Sequence, residues 1–240
     1  MHVALSGRAR TTLHVASFEL SAYRPRVVLL ERHAPLAQWC AEQGVRNAIV
    51  GGFFTRPNNR PLGQLVLGGA AALSVPFDAP WGDLRACVHI EDGAPRIALR
   101  SQLAERPGGD LLQAGPLLVS GGRPAFVDGD DFEGFSAGAD QFDSDITVGR
   151  YPRAALGIAG DRLLAVACDG RTDRDAGMTM AELAAALVSL GASEALNLDG
   201  GGSASLVYDG RLRNRPREEH GIELLEGRPI VTAIAIEPRS

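Results

Sequence analysis

Apolar positions along this chain fall into short blocks separated by glycine and polar breaks, and the blocks set the predicted elements. Residues 26–30 read as a strand. Residues 35–43 read as a short helix, with Pro35 at its start, where a missing N–H costs nothing, and Gly44 just past its end. Residues 45–50 read as a strand that runs into Gly51, Gly52, Phe53 and Phe54. A loop rich in Arg, Pro and Asn follows at 55–63. Short strand-like pieces and turns fill 64–126, among them Leu117, Leu118 and Val119 ahead of Gly121 and Gly122.

The C-terminal half is more regular. Residues 163–168 are an apolar run of strand length, ended by Asp169, Gly170 and Arg171. Thr179 and Glu182 have capping-box spacing, in which hydroxyl and carboxylate each satisfy an orphan N–H at a helix start. Met180, Leu183, Ala184, Leu187 and Leu190 then share one helical face, and Gly191 stops the helix. Glu182 therefore reads as a cap and not as a catalyst. The next strand is 195–198. If both strands join one sheet in parallel, the crossover is right-handed and both finish at the same edge, where ligands bind in open sheets. That edge would carry Asp169 and Asp199. The helix, Gly44, strand, Gly51 and Gly52 are echoed by the helix, Gly191, strand, Gly200 and Gly201, which suggests two glycine-bearing strand ends facing one cleft. The predicted fold class is α+β: a single domain over 1–240 with a mixed β-sheet and a C-terminal β-α-β unit followed by a Gly-rich turn.

Composition narrows the partners. The chain has 240 residues, of which 45% are hydrophobic and 22% charged, as in a soluble globular domain. The net charge of −5 and the lack of a basic patch interleaved with aromatics argue against nucleic acid and membrane surfaces. No apolar stretch reaches the length of a membrane span. Residues 1–13 lack an apolar signal-peptide core, so the sequence as it stands reads as cytoplasmic, and as secreted if a leader was removed. Every basic residue is arginine, which excludes Schiff-base and P-loop lysine chemistry and leaves arginine forks to read phosphate or carboxylate. Cys40, Cys87 and Cys168 are far apart in apolar runs and read as buried small hydrophobes. His2, His14, His33, His89 and His220 have no metal-ligand spacing, although His220 lies in a polar loop near Asn214. Residues 128–145 read as a mobile loop or lid, and its acidic cluster Asp128, Asp130, Asp131 and Glu133 as a solvated face; the glycine and the terminal glutamate that a calcium loop needs are misplaced. Neither a metal nor a cofactor is expected.

The most informative run is 195–203, in which an apolar strand ends in Asp199 and is followed by Gly200, Gly201, Gly202 and Ser203. Glycines allow positive φ and close approach of a ligand to bare backbone, and successive N–H groups can form an anion nest. A strand resumes at 204–208, so the helix that a P-loop or dinucleotide fingerprint needs is missing. A plain glycine turn between strands would also produce this run. Ser203 lacks the closing glycine and following helix of a nucleophile elbow.

In order, the motifs resemble the phosphodiester glycosidase family over roughly residues 45–236. The matching elements are Gly51 to Phe54, Gln113 to Leu118, Arg153 to Ile158, Asp169 to Arg171, Gly177 to Thr179 with Glu182 to Ala184, Leu196 to Ser203, Asn214 with Pro216, and Arg228 with Pro229. The chain departs from the family pattern at Val50 and Thr232, where Asn is usual, and at Ala154, where Thr is usual.

The resemblance implies cleavage of the C1–O bond of a sugar-1-phosphodiester, which releases a free sugar and a phosphomonoester. A phosphate diester is a good leaving group, so the site needs an anion near C1 and donors around the phosphate more than it needs a strong general acid. On this reading Asp199 is base or nucleophile and Asp169 its partner. A carboxyl separation of about 5 Å would favour retention and ~6.5–9.5 Å inversion. Arg153, Arg171 and the amides of Gly200, Gly201 and Gly202 are the phosphate candidates, Asn197 and Asn214 the sugar-hydroxyl readers, and Gly51, Gly52 and Ser203 the lining. The same residues would serve a non-catalytic phosphoglycan or anionic-glycan binding module, or a metal-dependent phosphodiesterase with Asp169 and Asp199 as ligands.

Overall fold

The computed structural model describes residues 1–55, 58–127, 129, 131–136 and 146–239, Arg8 by its backbone alone. The first elements are β1 (His2–Ala4), β2 (Arg10–Glu19), β3 (Tyr23–Ala34), α1 (Leu36–Gln43) and β4 (Ala48–Val50). Then come β5 (Leu65–Leu67), β6 (Ala70–Ala71), α2 (Trp81–Leu84), β7 (Ala86–Glu91), β8 (Ala94–Leu99), β9 (Asp110–Gln113), β10 (Leu117–Ser120) and β11 (Arg123–Pro124). The last are β12 (Arg153–Ala159), β13 (Arg162–Cys168), α3 (Met180–Ser189), β14 (Glu194–Asn197), β15 (Leu206–Tyr208), β16 (Arg211–Leu212) and β17 (Ile230–Pro238).

Among the described residues these strands build a seven-stranded sheet, β1-β2-β13-β12-β14-β10-β11, and two five-stranded ones, β16-β15-β4-β17-β3 and β6-β5-β9-β7-β8. Every pairing between these strands is antiparallel. Strand makes up 42% of the structure and helix 15%, so the α+β expectation with a mixed sheet is corrected to a β-rich fold. The physical reason lies in β13 and β14. They run in the same direction in one sheet, as the strand–helix–strand pattern predicts, but β12 lies between them and is antiparallel to both.

The large sheet is buried on both faces. Along β13, Leu163, Ala165 and Ala167 join the core shared with the β4–β17 sheet, while Leu164, Val166 and Cys168 join the core beneath α3. Period-two alternation thus puts apolar side chains on both sides, and the strand reads as an unbroken apolar run. The helices follow their punctuation. Pro35 precedes α1 and Gly44 closes it at φ 69°. Thr179 Oγ1 accepts from the Glu182 amide at 3.1 Å while a Glu182 carboxylate oxygen accepts from the Thr179 amide at 3.0 Å. Cys40, Cys87 and Cys168 are buried free thiols. No helix among the described residues is long and apolar enough to cross a membrane.

Candidate active site

Two glycine-bearing strand ends from different sheets meet directly. β4 runs out into Gly51 and β14 into Asp199, and the Asp199 amide donates to the Gly51 carbonyl at 3.0 Å. Thr232 on β17 fixes the other side: its carbonyl accepts from the Gly51 amide at 2.9 Å and its hydroxyl from the Gly52 amide at 3.0 Å. A Cβ on Gly51 would lie 2.4 Å from Thr232 Oγ1 and 2.8 Å from the Thr232 carbonyl carbon, so only glycine fits. The Gly115 amide donates to the Asn197 carbonyl at 3.0 Å, which brings the 113–118 segment to the same rim. Val50 and Ala154, two of the departures from the family pattern, are fully buried in the core shared by the two sheets. They put apolar groups directly beneath the rim.

Asp199 is half-buried, and its Oδ1 accepts from the Gly200 amide at 2.9 Å. The Gly201 amide donates to the Pro152 carbonyl at 2.9 Å. The amides of Gly200 and Gly201 therefore bind within the protein and do not form the anion nest expected from the triple glycine. Instead the glycines make a 3-10 turn, Gly201–Ser203, whose bare backbone admits side chains. The Arg171 guanidinium nitrogens lie 3.6 Å from where a Gly201 Cβ would stand, and Glu218 Oε1 lies 2.7 Å from where a Gly202 Cβ would stand.

The two candidate arginines differ. Arg171, in the left-handed region at φ 64°, is partly exposed and donates through Nη1 to the Arg217 carbonyl at 2.8 Å. Arg153 is buried and donates to the carbonyls of Met178 at 3.1 Å and Gly149 at 3.3 Å. Both guanidiniums stand over the Tyr151 ring, at 5.1 Å for Arg153 and 5.7 Å for Arg171. Tyr151 carries no motif and was not a candidate. Nor was Glu218, which pairs with Arg228 at 2.5 and 2.8 Å. Burial opposes the Arg228 charge, but Glu218, Asp199 and Glu219 outweigh it and raise the Arg228 pKa. Asp199 is thus within electrostatic reach of Arg228.

Asp169 does share the rim, since β13 and β14 end on either side of the start of β12. Two strand spacings put the backbones about 10 Å apart. Its carboxylate is occupied: Oδ2 faces His14 Nε2 at 3.0 Å and Oδ1 accepts from the Arg215 amide at 2.6 Å. Its carbonyl accepts from Thr11 Oγ1 at 2.7 Å. Asn214 is likewise committed, accepting from the Leu206 amide at 2.9 Å and donating to the Ala204 carbonyl at 2.7 Å. It clamps the exit of the glycine run. Asn197 donates to the Gly115 carbonyl at 3.0 Å, and its Oδ1 and the Ser203 hydroxyl are buried without a hydrogen-bond partner.

The acidic stretch also differs from its reading as a solvated face. Asp128, Asp130 and residues 137–145 lie outside the described residues. Asp131 accepts from the amides of Phe135 at 2.6 Å and Ser136 at 2.9 Å. Glu133 is buried, accepting from the amides of Leu117 at 2.5 Å and Ala86 at 2.7 Å. Its Oε2 lies 2.8 Å from where a Gly115 Cβ would stand. Burial pushes the carboxyl up to about 7, against the pull of those two amides and of Arg85. The Arg85 guanidinium, in turn, sits over the Phe77 and Phe135 rings at 4.0 and 4.1 Å. No three His, Cys, Asp or Glu side chains among the described residues are grouped to hold a metal ion.

The family model for phosphodiester glycosidase matches residues 43–237. No curated protein matches the chain in sequence. Among solved structures, the chain is similar to the zebrafish N-acetylglucosamine-1-phosphodiester alpha-N-acetylglucosaminidase catalytic domain auto-inhibited by its pro-peptide. That likeness has a TM-score of 0.72 at 18% identity, over 100% of this chain and 81% of the other. It is also similar to a hypothetical protein from Synechocystis, with a TM-score of 0.69 at 18% identity, over 100% of this chain and 61% of that one. The chain therefore spans less than two thirds of the Synechocystis protein. The family model spans most of the chain, and the chain belongs to the phosphodiester glycosidase family.

Proposed function

We propose that the chain hydrolyses the glycosidic C1–O bond of a sugar-1-phosphodiester and releases a free sugar and a phosphomonoester. The observation that supports this most is the half-buried Asp199 carboxylate at the meeting of two strand ends, with the Arg171 guanidinium packed against Gly201 of the turn that follows it. As the C1–O bond breaks, positive charge develops on the sugar ring and negative charge leaves with the phosphate. A fixed carboxylate stabilises the first and an arginine fork the second. Asp199 acts at C1 as base or nucleophile. Arg171 takes the phosphate, and Arg228 lies close enough to add to the field. Asp169 holds the frame through His14 and the Arg215 amide. The fold lends support through likeness alone.

The test is a panel of sugar-1-phosphodiesters, nucleotide sugars included, incubated with the wild type and with Asp199→Asn while both products are followed. Free sugar with phosphomonoester, lost in the variant, is the expected result. Sugar phosphate with a free alcohol would mean P–O cleavage, and no turnover of any panel member would mean a binding module; either outcome overturns the proposal.

A further inference from the structure

A second concave site lies at the other end of the β4–β17 sheet, roughly 15–20 Å from the rim along β17. It is a cavity of about 530 Å³ between the end of α1, the β15–β16 hairpin and the last residues of β17. That volume is in the range of small-molecule sites. Tyr23 and Tyr208 border it, and both rings pack on the buried Phe18, with centroids at 5.3 and 5.7 Å. The rings are therefore fixed before anything binds, which lowers the entropy cost of binding. Tyr208 remains 40% exposed. Asn47 secures the adjoining turn by accepting from the Asp209 amide at 3.0 Å.

The charges in this cavity are balanced. Arg26 pairs with Glu237 at 2.9 Å, and Arg46 pairs with Asp209. An anion would meet guanidiniums already matched to carboxylates and would face those carboxylates as well. A neutral polyol fits better. Its hydroxyls can donate to the carboxylates and accept from guanidinium N–H groups, while its C–H faces cover the tyrosine rings.

We propose that this cavity is an accessory glycan site that takes an uncharged sugar unit of the molecule carrying the phosphodiester. The proposal rests on the glycosidase reading given above for its substrate class, and on the cavity for its location. The test is a titration of the nitrogen-15-labelled full chain with maltose, cellobiose and diacetylchitobiose. At least one sugar is expected to shift the Gln43 and Gly44 amides to saturation while the Gly200 to Gly202 amides stay in place. Tyr208→Ala and Arg46→Ala are each expected to weaken that binding tenfold or more and to cleave a small sugar-1-phosphodiester at the wild-type rate; Arg46 is largely exposed, so its variant leaves the core intact. The proposal is overturned if none of the sugars moves those amides, if the variants bind as the wild type does, or if inorganic phosphate alone produces the shifts. Saturable sugar binding without phosphodiester cleavage would sink the activity reading and leave the accessory site; cleavage without sugar binding would do the reverse.

Discussion

The Asp169 carboxylate and the His14 ring are joined at 3.0 Å, and the second oxygen of the same carboxylate takes the Arg215 amide at 2.6 Å. His14 lies on β2, outside the segment matched by the family model, whereas Arg215 lies in the loop that holds Asn214 and Arg217. One carboxylate thus ties an N-terminal strand to the loop that shapes the glycine turn.

A bracing role for Asp169 separates it from Asp199 in experiment. Asp169→Asn places an amide against at least one donor, and a buried group left unsatisfied costs about 1–3 kcal/mol. Urea unfolding should show a loss of that size, and activity should fall as the 213–217 loop loosens. Asp199→Asn should change stability by less than about 1 kcal/mol and abolish turnover. Equal loss of stability in both variants would remove the distinction between the two carboxylates.

Gly51 should tolerate no side chain. In Gly51→Ala the new methyl meets Thr232 Oγ1 at 2.4 Å and the Thr232 backbone at 2.8 Å. Overpacking of this kind costs about 1–3 kcal/mol, and the strand ends it separates carry Asp199. The expected result is lower stability in urea together with reduced turnover. Removing the clashing hydroxyl in a second variant, Gly51→Ala with Thr232→Ala, should recover only part of the stability, because the Thr232 backbone still obstructs.

Much of the site was legible in the sequence because it depends on local punctuation. Pro35, Gly44, the Thr179–Glu182 box and Gly191 mark helix ends whatever the tertiary structure. The shared rim of Asp169 and Asp199 also followed, since strands running in one direction in one sheet end on one side. β12 did not: Gly157 and three alanines give it weak strand character, and its identity depends on pairing with β13 and β14 on either side. Missing that strand turned an antiparallel sheet into a mixed one. The side-chain partners were hidden for a similar reason. Nothing near Asp169 in sequence announces His14, 155 positions away, and nothing near Glu133 announces the amides of Ala86 and Leu117. A solvated acidic run and a buried carboxyl look alike until the backbone donors are placed.

Glu133 gives the chain a distinct pH dependence. Its folded pKa is raised from 4.5 to about 7 by burial. Between those values the folded state keeps a proton that the unfolded state has lost, so stability falls as pH rises through this window and is level above it. Below 4.5 the contribution is fully present. The span corresponds to roughly 3 kcal/mol. Glu133→Gln should remove this slope from urea unfolding measured at pH 5, 6, 7 and 8. It should also lower stability, because a side-chain amide cannot accept from the Leu117 and Ala86 amides through both of its ends. An unchanged slope in the variant would assign the pH dependence to another group.

The two arginines over Tyr151 should part company when replaced. Arg153 is buried and serves the carbonyls of Met178 and Gly149, so Arg153→Gln leaves those acceptors poorly matched at the base of the rim. Hydrogen bonds to charged groups contribute about 1.5–3 kcal/mol each, and the variant should lose stability on that scale. Arg171 is partly exposed on a left-handed turn, where asparagine is among the better-tolerated residues. Arg171→Asn should therefore unfold close to the wild-type midpoint while KM for a sugar-1-phosphodiester rises about tenfold or more, as expected when a charge-assisted contact to phosphate worth roughly 1.5 kcal/mol or more is lost. Activity on a neutral glycoside of the same sugar, where any can be measured, should be unaffected by that change. A large stability loss in Arg171→Asn with unchanged KM would make Arg171 a structural residue and leave the phosphate without its principal fork.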